Sequence, residues 1–140
     1  MNAGSKFLRF ASKGFVVLSV LSLLYVSILA IFDPQSVMDL VGVKLPNTDS
    51  ISSIRGVYGG VGVTIVALLI RYLLTDVVSA LRFLSIFWGA YAISRLITMI
   101  SDGPLGAFGM QWLMIESVFC LIAIVLLLQN KKLHRRPAQL

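Results

Sequence analysis

Ser52-Ser53-Ile54-Arg55-Gly56-Val57-Tyr58-Gly59-Gly60-Val61-Gly62-Val63 opens an apolar run that continues to about Ile70. An arginine stands at its mouth, and four glycines follow within eight residues. Glycine costs a helix interior about 1 kcal/mol against alanine, so four of them point to a packing purpose. Gly56 and Gly60 lie four apart, stack on one helix face and let a neighbouring backbone come close. Gly59 and Gly62 widen that smooth strip. Arg55, Tyr58 and Gly62 share a second face, at spacings of three and four. The strip reads as a packing surface, either within the chain or between copies of it. Arg55 reads as a binding residue, because a cation at a membrane mouth needs an anionic partner.

Composition agrees with a membrane setting. The chain has 140 residues, 58% of them hydrophobic and only 13% charged. A soluble domain carries roughly 45–50% apolar and 25% charged residues. The net charge of +6 could suggest nucleic acid, but the cations flank apolar segments, as topology signals do. Cys120, the only cysteine, excludes an internal disulfide and reads as a small hydrophobe in an apolar run. His134, the only histidine, sits in a basic tail. Neither supports a zinc site, which takes about four ligands.

Outward from the opening stretch, the chain divides at its polar punctuation. Residues 1–13 carry Lys6, Arg9 and Lys13 opposite Phe7, Phe10 and Ala11, the pattern of a short basic amphipathic helix at a membrane surface. Anionic lipid is its sharper reading, an ordinary cytoplasmic flank its plainer one. Gly14 to Phe32 is the first spanning helix, about 28 Å long. It resembles a signal peptide, but a cut after Ala30 would leave Ile28 where a small residue is needed, so an uncleaved helix is expected. Ser19 and Ser22 are candidates for bonds to the backbone or a neighbouring helix.

Asp33-Pro34 stops that helix and starts a short interfacial one, which Gly42 ends. Residues 44–50 form a polar loop, and Asp49, Ser50, Ser52 and Ser53 are candidate caps for a second spanning helix over about 53–74. The connection 71–82 holds one acid, Asp76. A third helix runs from Val77 or Ala80 to Ile100, stopped by Ser101-Asp102-Gly103-Pro104. A glycine-punctuated turn, 105–109, leads into a fourth helix from about Phe108 to Gln129, followed by the basic tail 130–136. One side of the membrane then receives Lys6, Arg9, Lys13, Arg71, Arg82, Lys131, Lys132, Arg135 and Arg136, and the other only Lys44. That bias puts both termini in the cytoplasm. No internal repeat is evident, which disfavours an inverted-repeat transporter.

Three ionisable residues fall within the spans: Arg55, Arg95 and Glu116. Arg95 lies about 9 Å below the outer end of its helix and Glu116 about 12 Å below the outer end of the next. A charge at mid-membrane costs about 2.5–3.5 kcal/mol on insertion scales. Glutamate is too short to snorkel, so Glu116 must be paired or protonated, and Arg95 is the partner nearest in depth. Trp88, Tyr91 and Arg95 share one stripe; Trp112 precedes Glu116 by four and Tyr58 follows Arg55 by three. A pocket lined by Arg55, Tyr58, Tyr91, Arg95, Trp112 and Glu116 is one expectation. A purely structural Arg95–Glu116 pair is the other.

Arg55-Gly56-x-Tyr58-Gly59-Gly60, Arg95 ahead of Asp102-Gly103-Pro104, and Glu116 in the last helix together resemble a bacterial four-helix inner-membrane family of unknown function. The resemblance covers roughly residues 33–128. It extends to a small trimeric protein of envelope integrity and, more distantly, to the DoxX-like group, some of which attach to quinone-linked redox enzymes. Members often carry an acid near the position of Ser53. Its absence here leaves open which group inside the protein partners Arg55.

The expected fold is an all-α integral membrane bundle of four transmembrane helices with a short outer interfacial helix, one domain over residues 1–140, both termini cytoplasmic. The expected function is a non-enzymatic, lipid-interacting inner-membrane protein supporting the cell envelope, with membrane phospholipids as partners and no nucleic acid, cofactor or metal. The resemblance implies a homo-oligomer, a trimer first, with Gly56, Gly59, Gly60 and Gly62 as its packing strip. The alternative is a quinone- or amphiphile-binding accessory subunit of a membrane redox complex. An enzyme acting on lipid ranks third, because no nucleophile or acid–base pair stands out beyond Arg95 and Glu116.

Overall fold

The computed structural model describes residues 3–135, with side chains to residue 133. In chain order its elements are α1 (Ala3–Phe32), α2 (Pro34–Asp39), α3 (Thr48–Ile54), a π-helical segment (Arg55–Gly60), α4 (Val61–Thr75), α5 (Val77–Ser101) and α6 (Ala107–Arg135). No strand occurs among the described residues. The π segment joins α3 to α4 in one helix of 28 residues, so four helices are long and apolar enough to cross a membrane. The shortest has 25 residues; at 1.5 Å each that is about 38 Å, against a hydrocarbon core of about 30 Å. This is an all-α, multi-pass membrane protein.

Three boundaries differ from the sequence expectation. The basic N-terminal segment is not a separate surface helix, because α1 is unbroken. Leu8, Ser12, Phe15, Val16, Ser19 and Val20 are all buried, a stripe at helical spacing that runs past Gly14 without a change of phase. At the other end, the basic residues after Gln129 continue α6 to Arg135; Arg136 lies outside the described residues. The cap of the second spanning helix is Asn47, not Asp49, Ser50, Ser52 or Ser53. Asn47 is extended, its side chain accepts the Ser50 N–H at 2.9 Å, and the Ser50 hydroxyl accepts the Asn47 N–H at 3.3 Å. This reciprocal box satisfies two helix-end groups at once.

Elsewhere the punctuation works as expected. Asp33 caps α2 with Pro34 in its first turn, and Gly42 ends the segment at φ 71, a left-handed conformation that suits glycine. Asp76, read from the sequence only as the acid of the connection, caps α5 by accepting the N–H groups of Val78 and Ser79. Gly103, at φ 108, turns the chain after α5.

The chain forms two compact units, residues 17–74 and residues up to 16 with those from 75 on. In the first, Ala30, Val37 and Met38 make a small core joined by Leu29, Leu45 and Ile54. Gln35 laces the connection after α2, donating to Asp39 Oδ1 and the Val43 carbonyl and accepting the Leu45 N–H. In the second unit, α5 and α6 pack antiparallel: Ser85 meets Cys120, Trp88 meets Phe119 and Arg95 meets Glu116.

Candidate functional site

Arg55 is the first residue of the π segment and is exposed. Its Nε donates to the Ile31 carbonyl at 2.8 Å. The last carbonyls of a helix have no partner within it, and a cation there also suits the helix dipole. Arg55 therefore caps α1 from a distant part of the chain. This answers the question left by Ser53: the internal partner is a backbone carbonyl, not an acid. The two terminal guanidinium nitrogens make no hydrogen bond or ion pair among the described residues.

The π winding was not foreseen. The Val61 N–H bonds to the Gly56 carbonyl, five residues back rather than four. Such segments are rare and recur at functional sites. Here glycine makes the wider turn cheap, and the Thr64 hydroxyl returns to the Gly60 carbonyl at 3.0 Å just beyond it.

The four glycines do not form one strip. Gly59 is buried against α1: a Cβ there would come within 2.6 Å of Ile31 Cγ1 and 3.4 Å of the Ile31 backbone nitrogen. A Cβ on Gly62 would collide with the Ser27 hydroxyl. These two let α1 and the second spanning helix approach closely. A Cβ on Gly56 or Gly60, by contrast, would meet no atom within 4 Å among the described residues. Tyr58 is exposed on the same turn.

Arg95 and Glu116 form a two-pronged pair, Nε to Oε2 at 2.6 Å and Nη2 to Oε1 at 2.8 Å. The Glu116 side chain is 2% exposed and that of Arg95 23%. Both carboxylate oxygens are engaged by the guanidinium, the geometry that best repays taking the two charges out of water. The aromatic residues on the same helices diverge. Trp88 lies in the α5–α6 seam, its ring 5.1 Å from that of Phe119. Tyr91 is partly exposed and packs on Phe87 at 5.0 Å; Trp112 packs on Phe108 at 6.1 Å. Of the six residues expected to line one pocket, Arg55 and Tyr58 belong to one compact unit and Tyr91, Arg95, Trp112 and Glu116 to the other. Among them, an ion pair joins Arg95 to Glu116.

Two polar atoms in the apolar interior are buried without a partner among the described residues, the Trp88 indole N–H and the Ser19 hydroxyl. Ser22 bonds to the Leu18 carbonyl, as expected, but Ser19 does not share that fate. Cys120 is more than a filler, since its thiol donates to the Ser85 carbonyl at 3.4 Å.

A family model described as a domain of unknown function, DUF4345, matches residues 11–127. The chain belongs to that family. No curated protein and no solved structure matches it. The DUF4345 match takes in Arg55, the glycines of the second span, Arg95 and Glu116, and leaves both basic chain ends largely outside.

Proposed function

We propose that this DUF4345 protein is a non-enzymatic lipid-binding protein of the bacterial inner membrane that supports the cell envelope. It works as a homo-oligomer, a trimer, with both termini in the cytoplasm. One observation carries the lipid reading: Arg55 is held at Nε by the Ile31 carbonyl, while its two terminal nitrogens have no partner among the described residues. A guanidinium fixed in this way presents a planar fork suited to two oxygens of a phosphate. At the end of a spanning helix, the anion at hand is a phospholipid headgroup. The envelope role and the trimer rest on the family resemblance, and the orientation on the distribution of Lys and Arg.

Arg55→Gln tests the reading, because it removes the charge and keeps an N–H donor for Ile31. The expected result is a lower content of anionic phospholipid in the purified protein with helicity retained, and Arg55→Lys should recover little of the difference. Unchanged lipid content in both variants would reduce Arg55 to a helix cap.

A quinone is the second reading, and the Trp88 indole favours it. That buried N–H lies among Phe87 and Phe119, beside the Phe83–Phe87–Tyr91 ladder, and lacks the acceptor that a quinone carbonyl would supply. Extraction of the purified protein with solvent would then yield a redox-active chromophore, and Trp88→Phe would diminish it.

A further inference from the structure

We infer that the first turns of α1 and the last turns of α6 together form a surface for anionic lipid headgroups, independent of Arg55. The observation is a hydrogen bond between residues 118 apart: Asn130 Nδ2 donates to the Ser12 hydroxyl at 2.9 Å. Ser12 is fully buried, and Asn130 is also fastened to its own helix through the Leu126 carbonyl at 2.8 Å. This contact holds the first turns of α1 against the last turns of α6. It brings the cations adjoining the bonded residues, Lys13 and Lys131, to one end of one compact unit, with Lys6 and Arg9 preceding on α1 and Lys132 following on α6. All five are exposed, and none pairs with a carboxylate among the described residues. Asp76, the acid that begins α5 in the same unit, is engaged as that helix's cap by Val78 and Ser79.

The aromatic residues choose the occupant. Phe7 is 73% exposed and Phe10 78%, and they stand beside Lys6 and Arg9 on the same turns of α1. Two large rings among cations suit the boundary between headgroups and acyl chains, where apolar burial and charge attraction act together. An RNA or an acidic soluble protein would satisfy the cations and leave the rings in water. Both helices are long enough to span, so a leaflet's headgroups lie at the level of these residues. Each basic residue near an anionic surface strengthens binding by roughly fivefold.

The test uses the full chain in the Arg55→Gln background, so that retained lipid reports on this surface alone. The protein is placed in nanodiscs of equal phosphatidylcholine and phosphatidylglycerol, extracted in mild detergent, and its bound lipid weighed by mass spectrometry. Enrichment in phosphatidylglycerol is expected. Lys6→Gln/Arg9→Gln/Lys13→Gln should lower it at least about tenfold, while Arg71, Arg82, Lys131 and Lys132 preserve the charge bias that sets topology. Asn130→Leu changes no charge and should lower it as well, because the two helix ends separate. Unchanged enrichment in the triple variant would overturn the surface. Full enrichment in Asn130→Leu, with helicity intact, would overturn its joint assembly. Stronger retention of a soluble polyanion such as RNA than of phosphatidylglycerol would overturn the lipid as occupant.

Discussion

Glu116 is the residue whose chemistry is most constrained, because a short carboxylate deep in an apolar helix has one acceptable partner and the structure supplies it. Glu116→Gln leaves Arg95 without its counter-charge; removing one member of a buried pair typically costs about 3–5 kcal/mol. Since Arg95 retains some exposure, the lower part of that range is expected in thermal or denaturant unfolding. A wild-type midpoint would show that the pair does not hold α5 to α6. Replacing both residues by leucine should recover most of the loss, because no buried charge is then left alone. The pair was legible in the sequence, since depth alone brought Arg95 to Glu116. The division among the glycines was not. Their spacing described a smooth strip, and only the packing against Ile31 and Ser27 shows which of them face α1. Gly59→Leu should therefore unfold or expand residues 17–74, whereas Gly60→Leu should leave the helicity and fold of the chain intact. Equal damage from both substitutions would contradict the division.

At the scale of elements, most boundaries could be read from Asp33-Pro34, Gly42 and Asp102-Gly103-Pro104, because each carries its own local mechanism. The cap at Asn47 was missed because four polar residues nearby, Asp49, Ser50, Ser52 and Ser53, offered competing hydroxyls and a carboxylate, and backbone conformation decided among them. The π segment was missed because hydrophobic period reports faces, not the hydrogen-bond step beneath them. Deleting Val57 removes the extra residue from the wide turn and lets an i→i−4 ladder form. It also rotates Arg55 by about 100° relative to α4. Helicity should persist while the Arg55 cap is lost and the retained anionic lipid falls as it does in Arg55→Gln; full lipid retention would separate the π segment from the site.

The caps also set an acid limit. The Ser36 side chain, with the Ser36 N–H, holds the Asp33 carboxyl below its usual range, and the Ser79 side chain does so at Asp76. Because both values are lower in the folded state, their stabilisation is fully present above the ordinary carboxylate value and fades as the pH falls through the depressed one. Fraying of α2 and of the start of α5 should therefore appear in hydrogen exchange only in strong acid. Asp76→Asn, which still caps but does not titrate in this range, should remove the pH dependence at α5.

For the whole molecule, the apolar composition and the placement of charge were enough to specify four spans, because the bilayer imposes length and excludes ions. The two compact units were not visible in the pattern, which says how long each helix is and not which partners it takes. Association is expected to use the open surface at Gly56 and Gly60, since packing of small residues must supply what the hydrophobic effect does not within lipid. Gly60→Leu should then reduce a trimer to monomers with the fold intact, read as mass in mild detergent, and a wild-type monomer would dismiss the oligomer. The most direct measurement is native mass spectrometry of the wild-type protein released from its own membrane, reporting subunit number and bound molecules together. The lipid-binding account predicts anionic phospholipid retained in fixed number per chain. A protein that emerges bare, or carrying a quinone in place of phospholipid, would contradict it.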